Sequence, residues 1–523
     1  MPKPPRFTFL AKLIAALLLV AAADILFQDQ IGSWFGGLAL GWVAVLLLVR
    51  PALRRGPALV AAAAAAIFAI ALANDPGLLA WSLFWTAVSM AAMLPRTAGY
   101  DDAWRWAVRL AAYAVTGPLS PIADLGRLFR PRASGSRGSM RGMIALLALP
   151  IAASSLFVAL FASANPLIGR ALAGIRLPPV GEVVFWLFAF AIFWPSLRPR
   201  VWATRIATLI PEAEVTLPGA SPASVLIALG MFNVVFAVQN ALDVAFLWSG
   251  APLPDGVTLA SYAHRGAYPL IATALLAGVF VLTTLKPGSP TAANPLIRRL
   301  VVVWVGQNLL LVASSILRTC DYIGVYMLTA WRIAALVWMA LVALGLVLIC
   351  WRMLTGRSAR WLINTNALAA AAVLATATVV DLDAASARWN VAHAREVGGR
   401  GVALDLCQLN YMGGSALLPL IDLEAQPLDP AFRDRVQSVR EQVLAGKGDW
   451  QPGLVQIQAD WHSWTWRNAR RLAEAAHRFG DNPAGPMALP PGAVRNCDGS
   501  IQLPPSPPKA APQATPLTKM PPR

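Results

Sequence analysis

The feature that most constrains this chain is a series of apolar runs, each about as long as a bilayer is thick. A hydrocarbon core roughly 30 Å thick is crossed by about 20 apolar residues in a helix. Eleven segments approach that length: 10–27, 36–49, 57–73, 78–94, 142–162, 180–197, 224–248, 266–285, 300–318, 325–351 and 361–380. Their apolar residues cover most faces, as expected of helices surrounded by lipid and by one another. Backbone groups in hydrocarbon must be satisfied within the segment or in a closed barrel. The expected fold class is therefore all-α: a polytopic transmembrane helical bundle of about 11 spans, followed by a small helical extracytoplasmic C-terminal domain. The first run does not read as a cleavable signal. Lys3, Arg6 and Lys12 flank it, but Asp24 interrupts it and no small-residue cleavage site follows cleanly.

Charge supplies the orientation. Only 13% of residues are charged, about half the share of an ordinary soluble chain. Of 43 Lys and Arg and 26 Asp and Glu, 15 and 14 fall after residue 380, so nearly all of the net +17 belongs to the apolar part. This placement argues against a nucleic-acid partner and for the loop chemistry of a membrane protein. With the N-terminus inside and sides alternating, the inner loops hold 23 basic residues. They include Arg50, Arg54 and Arg55, eight Arg between Arg96 and Arg141, Arg198, Arg200 and Arg205, and Arg352, Arg357 and Arg360. The outer loops hold four: Arg170, Arg176, Arg265 and Arg318. The positive-inside rule then places the N-terminus in the cytoplasm and the C-terminus outside, in a bacterial inner membrane.

The expected organisation is a four-span segment over 1–95, a basic cytoplasmic loop over 96–141, a seven-span core over 142–380, an outer helical domain over 381–480 and a Pro-rich disordered tail over 481–523. Around Trp104, Arg105, Trp106 and Arg109 the loop reads as an interfacial helix with snorkelling Arg, or as an ordinary solvated loop. Its basic cluster suits anionic headgroups. In the outer domain, 384–397, 402–421, 431–444 and 463–479 carry helical patterns. An oxidising compartment would allow Cys407 and Cys497 to pair, though no spacing rule requires it.

Six local patterns occur in order: 160–167 (LFASANPL), 255–270 (DGVTLASYAHRGAYPL), 315–332 (SILRTCDYIGVYMLTAWR), 386–395 (SARWNVAHAR), 404–419 (LDLCQLNYMGGSALLP) and 460–471 (DWHSWTWRNARR). Together they resemble the bacterial domain-of-unknown-function family 4173, within the broader group of membrane proteins around family 4153. Two positions depart from the family pattern. A Tyr-Ala-Arg-Arg-Gly stretch is Tyr262-Ala263-His264-Arg265-Gly266 here, and an acidic residue of the first motif is Asn165. The resemblance implies a polytopic membrane protein and brings no activity, substrate or catalytic residue.

Motifs for soluble chemistry are missing. The chain has no Walker loop, dinucleotide fingerprint or HExxH. Gly135-Ser136-Arg137-Gly138 does not fit a nucleophile elbow. His264, His393, His462 and His477 are dispersed and lack metal-ligand spacing with Cys, so no metal or cofactor is expected.

Ionisable residues at membrane depth are costly and tend to mark function. Arg332 falls about two turns inside the tenth span, Asp243 near the end of the seventh, Glu182 at the start of the sixth and Asp24 at the end of the first. Arg318 and Asp321, three apart at the end of the ninth, can share a helix face. All six belong to the outer half of the expected topology. They suggest an outward-facing polar pocket, with Arg332 paired to Asp243, Glu182 or Asp321 and able to hold a carboxylate or phosphate. The same residues also read as an ion pair that pins helices while the acids sit among headgroups. His264 and Arg265 precede the eighth span on the same side, as binding residues or as a headgroup anchor. Gln307 and Asn308 suit interhelical hydrogen bonds. Trp34, Trp81, Trp248, Trp304, Trp351 and Trp361 lie near span ends, where Trp anchors to the interface.

Three function classes follow. One is an envelope structural or signalling protein, whose partners are membrane lipids and an envelope protein bound by the outer domain. Another is a transporter or flippase of an anionic or amphipathic solute. The third is a membrane transferase on a lipid-linked substrate, for which Asp243, Glu182 and His264 are the candidate bases.

Overall fold

The computed structural model describes residues 7–27, 30–97, 99–128, 178–200, 221–249, 289–446, 452–479 and 484–504, with Arg205 and short pieces between 150 and 161 and between 273 and 284. About half of each of the expected spans over 142–162 and 266–285, the basic residues after Leu128 in the first loop, and the tail from 505 lie outside the described residues. The chain divides into two compact units. One comprises Met1–Ile323, Trp331–Asp381 and Gln458–Ala469; the other comprises Gly324–Ala330, Leu382–Ile457 and Arg470–Arg523.

The first unit contains α1 (Phe7–Leu26), α2 (Trp34–Val49), α3 (Gly56–Asn74), α4 (Leu78–Met93), α5 (Ala103–Thr116), α6 (Ser120–Leu128), α7 (Val180–Leu197), α8 (Pro222–Asp243), α9 (Pro295–Tyr326), α10 (Ala330–Thr355) and α11 (Ala359–Ala377). Among the described residues, seven helices are long and apolar enough to cross a membrane, and α11 with its bent continuation makes an eighth candidate. At 16 residues α2 is a shorter apolar helix. The protein is thus a multi-pass helical membrane protein. Fewer spans are described than the expected eleven.

Small residues let the first four helices approach closely, as packing in lipid favours. Ala62, Ala65 and Ala69 of α3 are buried. At Gly36 of α2, a Cβ atom would lie 2.2 Å from the Ala73 nitrogen. Polar side chains fix the order of these helices at one end. Arg50 is buried and donates to the carbonyls of Ala92 (2.9 Å) and Ser196 (2.7 Å), joining the ends of α2, α4 and α7. Trp42 donates to Ser196 Oγ at 2.9 Å. Asp124 of α6 accepts from Trp194 and pairs with Arg198 and Arg200. At the other end, Phe27 stacks on Phe185 at 5.2 Å.

Helix α5 exists where an interfacial helix or a loop was expected. Asp102 caps it, and Trp106, Arg109 and Tyr113 face inward. Arg109 does not snorkel. Asp101, just upstream, takes both guanidinium nitrogens at 2.6 and 2.8 Å, so the buried charge is neutralised. That guanidinium holds the Asp101 carboxyl below the usual carboxylate range.

The segment Gln458–Ala469, expected within the outer domain, belongs to the first unit. It packs on the α1–α2 turn by backbone approach. Ser33 N donates to Trp464 O at 2.8 Å, and Trp34 Nε1 to His462 O at 2.9 Å. Arg467 pairs with Asp75 at the end of α3 (2.6 Å) and donates to Val379 O just after α11.

The second unit contains α12 (Leu382–His393), α13 (Leu406–Tyr411), α14 (Leu417–Glu424), α15 (Pro430–Ala445), α16 (Leu454–Ala459) and α17 (Trp466–Phe479), then a hairpin of β1 (Val494–Arg495) and β2 (Ile501–Gln502). The chain divides between the units inside α16 and α17. Leu406, Leu409, Leu417, Leu420, Val436 and Val439 form the core of this unit, with Met327 from the α9–α10 turn inserted into it. Met327 holds a positive φ of 65°, a region non-glycine residues rarely adopt. Asn390 clamps this turn, donating to Leu328 O and accepting from Leu328 N.

The hairpin was not expected, because Pro, Gly and Ala dominate its sequence. Charge pairs hold it. Arg495 binds Asp434 through both oxygens, Arg435 binds Asp498 at 2.6 Å, and Cys407 is disulfide-bonded to Cys497. Arg440 is 0% exposed, pairs with Glu424 and Glu441, and lies over the Phe479 ring.

Burial pushes the Glu424 carboxyl up to about 7, with Glu441 adding to the rise and Arg440 and Arg433 opposing it. The folded protein therefore keeps a proton that the unfolded chain releases. Stability from this group is present at low pH and is lost as pH rises towards 7. Thermal melts of the full-length protein should show Tm falling from pH 5 to pH 7 and level above, with the slope abolished in Glu424→Gln. An unchanged slope in the variant would assign it to another group.

Candidate functional site: a buried polar seam

The apolar run over 300–318 predicts a ninth span that ends at Arg318. Instead α9 continues for 32 residues to Tyr326, roughly 48 Å at 1.5 Å per residue. The helix persists because Arg318 meets a partner. It forms an ion pair with Asp243, and the two side chains are 9% and 3% exposed. The pair ends a seam between two parallel helices. Asn233 of α8 donates to Leu300 O of α9 at 3.1 Å, and Asn240 donates to Gln307 O at 3.2 Å. Gln307 in turn donates to Asn233 Oδ1 at 3.1 Å. Trp248 donates to Ser314 Oγ at 3.1 Å. Residue numbers rise together on both helices, so α8 and α9 run in the same direction.

The carbonyls that Asn233 and Asn240 reach fix which way their amides point. Each must present nitrogen to a backbone oxygen. Gln307 then spends its nitrogen on Asn233. Among the described residues, three acceptors here, Asn240 Oδ1, Gln307 Oε1 and Asp243 Oδ2, are buried without a hydrogen-bond partner, as is one neighbouring donor, Trp304 Nε1. The other Asp243 oxygen takes both Arg318 and, at 3.1 Å, Gln239. A buried acceptor left unmatched costs about 1–3 kcal/mol. The three acceptors suit a hydrogen-bond donor, a proton or a water. Directly after Asp243 the helix widens into a π-helical turn, Val244–Trp248, a distortion frequent at functional sites.

The other expected site residues are not gathered here. Because α9 extends to Tyr326, α10 begins at Ala330 and Arg332 lies in its first turn, not two turns inside. Its guanidinium sits over the Tyr322 ring at 4.5 Å. The partner of Asp243 is Arg318, where Arg332 was expected. Asp321 is exposed while Arg318 is buried against α8, so the two do not share an environment. Glu182 is exposed in the first turn of α7, and Asp24 is half-buried in the last turn of α1. His264 and Arg265 lie outside the described residues. Asn308 bonds within its own helix, to Trp304 O, so only Gln307 bridges. Trp304 is not an interface anchor. It is 4% exposed in a cluster with Phe232, Phe236 and Phe280. Asn233 carried no sequence signal beyond being a polar residue within an apolar run. Its spacing from Gln239, Asn240 and Asp243 along one helix was the available clue.

Residues 42–423 match the model for the domain of unknown function DUF4153. The chain belongs to this family. The DUF4153 region starts within α2 and ends within α14, so it contains the whole seam and Cys407 but neither Cys497 nor the hairpin. Curated proteins and solved structures give no match to the chain.

Removing one partner of a buried ion pair leaves an uncompensated charge and costs about 3–5 kcal/mol, whereas replacing both by apolar residues is often neutral. Asp243→Leu and Arg318→Met should each lower the melting temperature in detergent, and the double variant should recover most of the loss. Additive losses would show that the two do not form a pair.

Proposed function

We propose that this DUF4153 chain is a bacterial inner-membrane protein with a cytoplasmic N-terminus, whose C-terminal helical domain is displayed outside and binds an envelope partner in a structural or signalling role. The observation that carries the reading is the Cys407–Cys497 disulfide. Disulfides persist in oxidising compartments, so the cystine supports an external second unit. Chain direction in the first unit supports the same sidedness. The α1–α2 turn, the end of α3 and the end of α11 all meet the segment 458–469, and so belong to one end of that unit. The N-terminus of α1 then lies at the opposite end of the first unit from segment 458–469. The basic residues Arg50, Arg54, Arg198 and Arg200 belong to the other end, as cytoplasmic loops require. The narrower likeness to family 4173 remains our reading of the six sequence patterns.

A second reading, a transporter, is favoured by the seam alone. Its unmatched acceptors and the π-helical turn are the features of a coupling-ion or proton site. They do not favour the anionic solute suggested by the sequence. A membrane transferase has no such support, since Asp243 is engaged by Arg318 and Gln239.

Alkaline phosphatase fused after Arg400 should be active, and a fluorescent protein that matures only in the cytoplasm should be dark there. The reverse pattern would place the domain inside. The cystine closes a loop of 90 residues, worth about 4–5 kcal/mol in the chain-entropy account. Cys407→Ser or Cys497→Ser should therefore lower stability strongly under oxidising conditions and leave the reduced protein unchanged.

A further inference from the structure

The segment 458–469 carries three Trp in six residues, and its position in the first unit gives them a use that the sequence did not reveal. Trp461 and Trp466 are 54% and 55% exposed, and Trp464 is exposed as well. A large exposed aromatic surface is unusual unless something covers it. The segment is held firmly. A Cβ atom at Gly32 would stand 2.5 Å from His462 O and 2.6 Å from Trp464 O, so the α1–α2 turn and the segment touch backbone to backbone. Ser33 Oγ accepts from Trp466 N at 3.0 Å, and Asp460 accepts from both His462 N and its ring at 3.0 Å. The indoles are therefore presented from a pinned loop.

The position of that loop identifies the occupant. It is anchored to the ends of apolar helices: the turn after α1, Asp75 after α3 and Val379 after α11. Those ends are where hydrocarbon gives way to headgroups. Trp concentrates at this depth, because its ring is apolar and its N–H seeks a polar partner. Leu78 and Val379, at the same helix ends, are also exposed apolar residues.

We propose that residues 458–469 form an in-plane anchor, with Trp461, Trp464 and Trp466 inserted among the lipids at the headgroup–acyl boundary of the outer leaflet. The inference rests on the reading of α1, α3 and α11 as membrane-crossing helices. The chain would thus leave the outer domain, dip into the interface and re-enter the domain through α17. The ligand is the lipid interface itself, with no specific headgroup required.

The test uses the full-length protein in lipid nanodiscs with Cys320→Ser and Cys350→Ser, the disulfide left oxidised. A single cysteine replaces Trp461, Trp464 or Trp466 in turn and is labelled with an environment-sensitive fluorophore. Lipids carrying a quencher at acyl carbon 5 should quench each label at least twofold more than lipids carrying it at carbon 12, and aqueous iodide should quench weakly. Strong iodide quenching without lipid quenching would overturn the anchor in favour of a solvated loop. Protection from both would overturn it in favour of protein cover. A label at Leu344, exposed midway along α10, should be quenched most at carbon 12. If that label fails, the membrane reading falls. If it succeeds and the three Trp positions fail, only the anchor falls.

Discussion

In a lipid environment, apolar side chains do not tell helices apart. Lipid tails solvate Leu and Ala as well as another helix does, so the few polar groups along each apolar helix decide which neighbours it takes. This constraint organises the first unit. Arg50 reaches two carbonyls on different helices, and Trp42 finds Ser196. Asn233, Asn240, Gln307, Arg318 and Asp243 join α8 to α9 along their length. Each of these groups would be costly alone in hydrocarbon and is tolerated because a specific partner lies opposite it. The parallel run of α8 and α9 follows from those pairings.

The same principle marks where pairing is incomplete. Three acceptors in the seam and the neighbouring Trp304 Nε1 stay unmatched among the described residues, next to a π-helical turn and a neutralised charge pair. The acceptors suit donor chemistry.

The two units exchange pieces of chain. The turn between α9 and α10 supplies Met327 to the core of the second unit, while 458–469 returns to the first. The second unit is held by charged contacts uncommon in a small helical domain. Arg440 is buried beneath Phe479, and Asp434 fastens a short hairpin that its own sequence would not hold in place. The Arg440–Phe479 and Asp434–Arg495 contacts each span tens of residues, so neither left a local trace.

The sequence by itself determined the class of the protein. Apolar runs of bilayer length require helices, because backbone polarity must be satisfied inside the segment. It also marked Asp243 and Arg318 as notable, since a charge within an apolar run is visible without any structure. Pairing was left to the tertiary structure. Arg318 read as a helix end until Asp243 opposite it allowed α9 to continue, which in turn moved Arg332 to the first turn of α10. Trp304 read as an interface anchor until the Phe residues of neighbouring helices closed around it. Residues 458–469 read as domain surface until the α1–α2 turn received them. In each case composition sets the cost of leaving a group alone, and only the fold supplies the partner that removes it.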